Sequence, residues 1–258
     1  MDNHSLPTLI VAEMTTRVQG HFGFYLEDLS TGKSWGVNEN QAYDAWSLLK
    51  LNMMVAVLKK VERKELSLQD RVSMSLEYSA QGAPPMPRRV NSVTISSLLT
   101  DMIMLSDNIA SAGVALTMPA LEFQDSLRDT GMPCSLPSEP TRMPQVSPKQ
   151  FANVLRSLHS ATYLNRQNSD LALSLLSGTV YDTLLRDGVP RNVTVAHKVG
   201  FNADKGDYHD CGIVCLPNRN YVLCLMGTGT NLEEAERVYR TVSKQVYEFM
   251  AKTCSSGI

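Results

Sequence analysis

The spacing of hydrophobic positions near the N-terminus predicts a β-hairpin. Phe22, Phe24 and Leu26 occupy every second position, and Trp35 and Val37 continue this spacing after a polar, turn-forming segment. A period of two residues is typical of a strand with one buried face. We therefore expect two antiparallel strands that lead into the next element of the chain.

Helical spacing takes over in the middle of the chain. The run Leu48–Val61 is apolar nearly all round, which is typical of a buried helix. A second helix is predicted to begin at Thr94, and Asp107 is a candidate N-cap for a third helix that ends before Pro119. Further helices are predicted over residues 7–18, 148–160 and 166–186, and after Asn231.

The final third of the chain returns to strand-like spacing. Val193, Val195 and His197 occupy every second position before Lys198–Gly200, and the runs Cys211–Leu216 and Tyr221–Met226 flank a turn. This order predicts a mixed α/β (α+β) fold, with an antiparallel sheet built from both chain ends, flanking helices and an inserted all-helical lobe. The predicted organisation is one domain over 1–258, with a sheet lobe at about 1–45 and 190–258 and a helical lobe at about 46–189.

Charge and hydropathy narrow the classes of function. The net charge is −2, and Lys and Arg form no run, which argues against a nucleic-acid or anionic-membrane surface. No stretch approaches the roughly 18–20 apolar residues of a membrane span. The apolar run Leu9–Ala12 is too short for a signal peptide, so a native N-terminus would imply the cytoplasm.

Cysteine and histidine usage argues against disulfides and metals. The chain has five cysteines, an odd number that rules out a complete disulfide framework. Cys211, Cys215 and Cys224 lie in apolar runs and are expected to be reduced thiols in the core. The histidines lack metal-ligand spacing, so neither a metal site nor a cofactor is predicted.

Ser47 and Lys50 form the first candidate catalytic pair. At a separation of three residues on a helix their side chains share one face, roughly 5–6 Å apart at Cβ. A hydroxyl and an amine held together can act as nucleophile and base, and the free N–H groups at a helix start favour an oxyanion. The same spacing recurs at Ser30 and Lys33, where a solvated hairpin tip is the simpler interpretation.

Two more elements extend the pattern. Ser106–Asn108 (Ser-Asp-Asn) lies between predicted helices, and Lys198–Gly200 (Lys-Val-Gly) lies on a predicted strand. Alone, the first is typical of a helix cap and the second of an ordinary strand. Together with Ser47-x-x-Lys50, and in this order, they resemble the penicillin-recognising serine enzymes, most closely the class A β-lactamases with their S-x-x-K, S-D-N and K-T-G elements. The resemblance covers nearly the whole chain.

The residue types in these elements suggest a division of roles. Ser47 Oγ is the candidate nucleophile that attacks an amide carbonyl and forms an acyl-enzyme. Lys50 is the candidate base, because burial and a second cation at Lys198 both disfavour its charged form. Ser106 can relay a proton to the leaving nitrogen, and Asn108 can position neighbouring groups through its amide. Lys198 offers a positive charge to a substrate carboxylate.

The resemblance also implies an oxyanion hole formed by the backbone N–H groups of Ser47 and Phe201. Gly200 lacks a Cβ atom and would allow the substrate to approach the strand closely. Two positions depart from the family pattern: Val199 replaces a hydroxyl residue, and Phe201 stands where a small residue is common. Fewer hydroxyl groups would therefore meet the substrate carboxylate.

The proline-rich loop over residues 131–148 is short compared with the omega loop that the resemblance implies. In the family, that loop carries the glutamate that activates the deacylating water. Glu139, followed by Pro140, is the candidate equivalent, but the family's preceding arginine and following Leu-Asn are absent. The alternative for Glu139 is a solvated loop carboxylate.

The resemblance and these residues indicate a class A β-lactamase-like serine hydrolase that acts on β-lactams or D-Ala-D-Ala-like amides and deacylates slowly. The alternatives are a penicillin-binding D,D-peptidase or acyltransferase, and a sensor that remains acylated. Serine glutaminases share Ser-x-x-Lys but not the other two elements. A Ser-His-Asp triad through His209 and Asp210 would leave Ser47 and Lys50 unexplained.

The expected partner is a small molecule, either a β-lactam or a peptidoglycan stem peptide, and the expected state is a monomer. By resemblance, the protein would work in the periplasm or outside the cell after removal of a targeting segment.

Overall fold

The computed structural model describes residues 19–73, 92–133 and 143–254. The predicted helix over 7–18 lies outside these residues. In chain order, the described strands are β1 (His21–Asp28), β2 (Ser34–Val37), β3 (Tyr43–Asp44), β4 (Arg71–Val72), β5 (Val93–Thr94), β6 (Gln145–Val146), β7 (Thr194–Asn202), β8 (Asp207–Cys215) and β9 (Tyr221–Thr228). The described α-helices are α1 (Leu49–Glu62), α2 (Ile95–Met104), α3 (Asn108–Ala115), α4 (Ala120–Asp129), α5 (Pro148–Ser160), α6 (Arg166–Ser177) and α7 (Leu232–Cys254).

The main sheet joins strands from both ends of the chain. Its order is β2-β1-β9-β8-β7, and every neighbouring pair is antiparallel. Register places His21 of β1 opposite Thr228 of β9, and Lys198 of β7 opposite Cys211 of β8. The predicted mixed fold with an antiparallel sheet and flanking helices is confirmed, and β7 forms one edge of this sheet.

Alternation along β7 assigns its side chains to two faces. Ala196 belongs to the hydrophobic cluster that includes α1, α2, α5 and α6, whereas Val195 and Val199 belong to the cluster beneath α7. Because successive side chains in a strand point to opposite faces, Lys198 shares the face of Ala196 and points toward the helices that follow Ser47. Phe201 falls on the face of Val199.

Helix α1 is buried along most of its length, as its sequence predicts. Its buried apolar residues are Leu51, Met54, Val55, Ala56, Val57 and Leu58. Full burial of one large aliphatic side chain contributes about 1.5–3 kcal/mol, so this helix is a major part of the core. None of the described helices is long and apolar enough to span a lipid bilayer.

Two sequence predictions need correction. The helix predicted over 166–186 ends at Ser177, because Gly178 caps it and the next residues turn toward α2, where Val180 N–H and Thr179 Oγ1 donate to Met104 O. Cys215 is exposed at the end of β8, whereas Cys211 and Cys224 are buried as expected. The predicted N-cap at Asp107 is confirmed, since its side chain accepts from the N–H group of Ala110. The helix predicted to begin at Thr94 begins at Ile95, and Thr94 is its N-cap, accepting from the N–H group of Ser97.

His209 is a fully buried, neutral imidazole in the sheet. Its Nε2 lies 2.9 Å from Asp44 O, and Gly227 N–H donates to its Nδ1 at 3.3 Å, an arrangement that requires the proton on Nε2. Burial lowers the pKa of His209 to about 4. The unfolded chain therefore binds a proton near pH 6.5, whereas the folded chain does so only near pH 4.

We expect the stability that His209 contributes to be complete above pH 6.5 and to be lost as the pH falls toward 4. The shift corresponds to about 3 kcal/mol at full extent. His209→Gln keeps a donor and an acceptor but does not titrate, so its unfolding free energy should lose this pH dependence. Urea unfolding from pH 7 to 4 measures it, with exposed His21→Gln as the control. If the unfolding free energy of His209→Gln changed with pH as much as that of wild type, the assignment would be wrong.

Candidate active site

Ser47 lies in a short 3₁₀ helix, Trp46–Leu48, directly before α1. The sequence placed it at the start of the α-helix itself, and the structure shifts that start to Leu49. Trp46 has φ +46°, in the left-handed region. Strain of this kind costs on the order of 1–3 kcal/mol and persists only where the surroundings enforce it. Trp46 Nε1 donates to the buried Asp207 carboxylate at 2.8 Å, and Thr228 Oγ1 donates to the same carboxylate. The turn is therefore tied to β8 and β9.

Lys50 points from the first turn of α1 into a polar cluster. Its Nζ donates to Asn108 Oδ1 at 2.7 Å, to Ser106 O, and to Ser106 Oγ at 3.2 Å. The side chain is 6% exposed. Three acceptors replace the water that its amine loses on burial, so Lys50 is held in one position.

The Ser106–Asn108 loop connects α2 to α3. Ser106 has φ +54°, and its hydroxyl and carbonyl both face Lys50. Asp107 serves the fold instead, because its carboxylate caps α3 by accepting Ala110 N–H at 2.6 Å. The loop therefore presents its first and third side chains to Lys50 while the second anchors the helix.

Lys198 reaches the same cluster from β7. Its Nζ lies 2.9 Å from Ser106 Oγ and 3.1 Å from Val199 O, and the side chain is fully buried. It also lies 5.8 Å from the centre of the Tyr181 ring. The hydroxyl of Ser106 is thus shared by two lysine amines, Lys50 and Lys198.

Burial lowers the pKa of both lysines. The pKa of Lys50 falls to about 8 through desolvation, against the opposing charge of Asp107. The pKa of Lys198 falls to about 7, first through desolvation and second through the positive charge of Lys50. Near neutral pH the pair therefore does not hold two full positive charges, and one amine is available as a proton acceptor.

Gly200 brings β7 against the turn that carries Ser47. A Cβ atom added at Gly200 would lie 3.1 Å from Ala45 O and from Leu48 N, which is tighter than ordinary packing. Phe201, the next residue, is 49% exposed, and its ring meets Tyr181 edge-on with centroids 6.4 Å apart. The absence of a side chain at Gly200 therefore allows the edge strand to run beside Ser47.

The structure brings together Lys50, Ser106, Asn108 and Lys198, and it sets Gly200 beside the turn of Ser47. Glu139 lies outside the described residues. The alternative triad does not form among the described residues: His209 faces Asp44 O, while Asp210 accepts from His197 Nδ1 at 2.8 Å and from Leu185 N–H.

Sequence reasoning missed three residues around the site: Trp46, Asp207 and Tyr181. The anchor between Trp46 and Asp207 joins positions far apart in the chain, and no local pattern signals it. Tyr181 falls in a segment whose spacing predicts a helix. Of the three, Trp46 alone could have been suspected from the sequence, because it is an aromatic residue directly before the candidate nucleophile.

Comparisons with known proteins identify the family of this chain. A sequence profile described as the β-lactamase enzyme family matches residues 8–250. β-Lactamase SME-1 of Serratia marcescens is 22% identical over 245 residues, covering 87% of this chain and 81% of that protein.

Among solved structures, PBP-A has a TM-score of 0.88 and 25% identity, with 97% of each chain covered. A β-lactamase from Sphaerobacter thermophilus DSM 20745 has a TM-score of 0.85 at 18% identity, with 98% of each chain covered. The resemblance predicted from the three motifs is thereby confirmed, and the chain belongs to the β-lactamase enzyme family as a class A β-lactamase-like serine enzyme.

Proposed function

We propose that this protein is a serine hydrolase that opens β-lactams through an acyl-enzyme on Ser47. The observation that carries the proposal is the Ser106 hydroxyl, which lies within hydrogen-bond distance of two buried lysines, Lys50 and Lys198. This arrangement offers a base, a proton relay and a cation, and Lys50 follows the candidate nucleophile Ser47 by three residues. Such a set is what acyl transfer from an amide requires.

In the first step Ser47 Oγ attacks the carbonyl carbon of the β-lactam, and neutral Lys50 accepts the hydroxyl proton. The tetrahedral oxyanion is stabilised by the backbone N–H groups of Ser47 and Phe201. The carbon–nitrogen bond then breaks, and the leaving nitrogen takes a proton through the Ser106 hydroxyl, which Lys50 can resupply. At the end of this step the β-lactam ring is open and Ser47 carries the acyl group as an ester. The proton that Lys50 took from Ser47 has been passed on through Ser106.

Lys198 serves the substrate carboxylate in this scheme. An anion beside Lys198 favours the protonated amine, which opposes the effect of the neighbouring Lys50 on its pKa. Substrate binding would therefore hold the charge on Lys198, and that charge would lower the pKa of Lys50 further and favour its neutral form. The pair would be divided into cation and base by the ligand itself.

Hydrolysis is completed when water attacks the Ser47 ester. Glu139 is the candidate base for this step, on sequence grounds alone. Without a positioned base the ester would persist, because unassisted water is a poor nucleophile at neutral pH.

A D,D-peptidase or acyltransferase of the penicillin-binding type is the second candidate. It is favoured by the similarity to PBP-A, of which the L158E mutant forms an acyl-enzyme complex with penicillin G. Both candidates share acylation of Ser47, so the first experiment tests them together. The two candidates are then distinguished by comparing the turnover of β-lactams with the turnover of D-Ala-D-Ala peptides.

We expect penicillin to add one acyl group to the wild-type protein, on Ser47. Intact-protein mass spectrometry gives the stoichiometry, and peptide mapping of the quenched adduct gives the position. Ser47→Ala should remove the adduct completely. Ser30→Ala, which changes the other Ser-x-x-Lys copy at the tip of the β1–β2 hairpin, should leave it unchanged. An adduct on another serine, or one that survives in Ser47→Ala, would refute the mechanism.

A further inference from the structure

The Lys198 amine lies against the face of an aromatic ring. Its Nζ is 5.8 Å from the centre of the Tyr181 ring. Its two hydrogen-bond acceptors, Ser106 Oγ and Val199 O, are both neutral oxygens. The ring therefore forms part of the immediate surroundings of a fully buried amine.

The surroundings of Lys198 favour the loss of its proton. Burial removes the water that would stabilise an ammonium ion, and Lys50, on α1, adds a like charge. Asp210, on β8, opposes these effects, but its oxygens accept from His197 Nδ1 and from Leu185 N–H. The balance lowers the pKa of Lys198 to about 7, so near neutral pH part of the ligand-free protein lacks this cation.

Other titratable groups near the amine do not restore its charge. His209 and Cys211, on the same face of the sheet, are neutral at pH 7, because burial lowers the pKa of His209 to about 4 and raises the pKa of the Cys211 thiol. Asp107, in the loop between α2 and α3, raises the pKa of Lys50 instead. The face of the Tyr181 ring does favour the cation, because the negative face of a ring quadrupole attracts an ammonium group.

Contacts on both sides hold the Tyr181 ring in place. Thr179 Oγ1 donates to Met104 O, at the end of α2. The Tyr181 hydroxyl donates to Leu105 O at 3.4 Å, and on β7 the ring meets Phe201 edge-on with centroids 6.4 Å apart. Burial raises the pKa of the Tyr181 phenol, so near pH 7 this residue supplies a π face and not a charge. The ring is therefore positioned before any substrate binds.

We propose that Tyr181 is a positioning residue for Lys198, whose protonated amine its ring favours and holds ready for the substrate carboxylate. The inference rests on the proposed function, because it is there that Lys198 serves this carboxylate. Cation–π attraction is strongest between desolvated groups, and Lys198 is fully buried. Loss of the negative ring face should lower the pH at which Lys198 loses its proton by about one unit, a tenfold change in the proton equilibrium.

The first experiment measures the charge on Lys198 in the ligand-free protein by NMR, with carbon-13 at the ε position of lysine and Lys198→Arg to assign the resonance. Tyr181→Phe keeps the ring and should titrate close to wild type. Pentafluorophenylalanine at position 181 keeps the shape of phenylalanine but reverses the quadrupole, so the midpoint of Lys198 should fall by about one pH unit. Equal midpoints in the two variants would overturn the proposal.

Tyr163 provides the matched control, because its ring lies 4.8 Å from another lysine amine, Lys59 Nζ, in the helical lobe. The same pair of substitutions at position 163 should leave the midpoint of Lys198 unchanged. A fall as large as that caused at position 181 would overturn the assignment to Tyr181.

The second experiment tests the carboxylate in the Ser47→Ala background, where benzylpenicillin binds without forming an acyl-enzyme. Isothermal titration calorimetry should show about tenfold weaker binding at pH 8 with pentafluorophenylalanine than with phenylalanine at position 181. At pH 5.5, where Lys198 is protonated in both proteins, the two affinities should agree within about twofold. Equal weakening at both pH values would mean that the ring acts only on structure, and would overturn the proposal.

Failure of the proposed function has a different signature. If penicillin does not acylate the wild-type protein, the proposed function fails. The NMR comparison still decides the role of Tyr181, because it needs no substrate. Midpoints that differ by about one pH unit support that role, and equal midpoints overturn it.

Discussion

Replacing Lys50 with arginine is expected to slow acylation of Ser47 by roughly 10²–10⁴-fold, the usual effect of losing a positioned base. A guanidinium cannot give up its proton at working pH, whereas burial brings the pKa of Lys50 down to about 8. Arginine keeps donors for Asn108 and Ser106, so the variant removes the base while it keeps the charge. Rapid-quench mass spectrometry gives the acylation rate constant.

The pH profile tests the same assignment. The acylation rate of wild type should rise as the pH passes through about 8, because the reactive, neutral form of Lys50 becomes populated there. Lys50→Arg should lack this rise. Lys60→Arg, on the same helix and paired with Glu122, is the matched control and should behave as wild type. An unchanged circular-dichroism spectrum shows that Lys50→Arg keeps the fold. If the acylation rate of Lys50→Arg were within about threefold of wild type, a group other than Lys50 would accept the Ser47 proton.

The second large effect concerns the later half of the reaction, where we expect a stoichiometric burst followed by slow turnover. Acylation has its candidate nucleophile, base and oxyanion hole, but the deacylating water depends on Glu139. That residue lacks the flanking arginine and Leu-Asn of the family, in a short loop rich in proline. Loss of a positioned base corresponds to about 3–5 kcal/mol of barrier, so the ester on Ser47 should last for minutes.

Stopped-flow measurements with a chromogenic cephalosporin resolve the burst from the steady state. Glu139→Gln should leave both phases nearly unchanged if Glu139 is a solvated carboxylate, as should the control Glu122→Gln on α4. Rapid hydrolysis of wild type without a burst would refute slow deacylation. If Glu139→Gln then traps the adduct, Glu139 is the base and the enzyme is an ordinary β-lactamase with a shortened loop.

Local patterns in the sequence predicted the parts of the fold that are decided locally. The two-residue period in β1 predicts a strand, and the long apolar run of α1 predicts a buried helix. The three motifs predicted that Lys50 and Lys198 approach Ser106, and the structure places both amines within hydrogen-bond distance of the Ser106 hydroxyl.

What the sequence could not predict depends on contacts between distant segments. Helix α6 stops at Ser177 because the following residues hydrogen-bond to Met104 O, at the end of α2. The turn at Trp46 depends on a carboxylate at Asp207, which lies on a strand near the other end of the chain. Neither contact leaves a trace in local hydrophobic spacing.

The sheet built from both chain ends has a consequence for the order of folding. Strand β1 pairs on one side with β9, and the contact of His21 with Thr228 closes a loop of about 200 residues. Ribosomes add about 5–20 residues per second, so β1 waits about 10 s or longer for its partner. During that time helix α7, which shares a hydrophobic cluster with Phe22, Phe24 and Leu26, is also not yet synthesised, so these side chains have no α7 to cover them. Productive folding of the nascent chain therefore depends on keeping this N-terminal hairpin from pairing with other chains until β9 arrives.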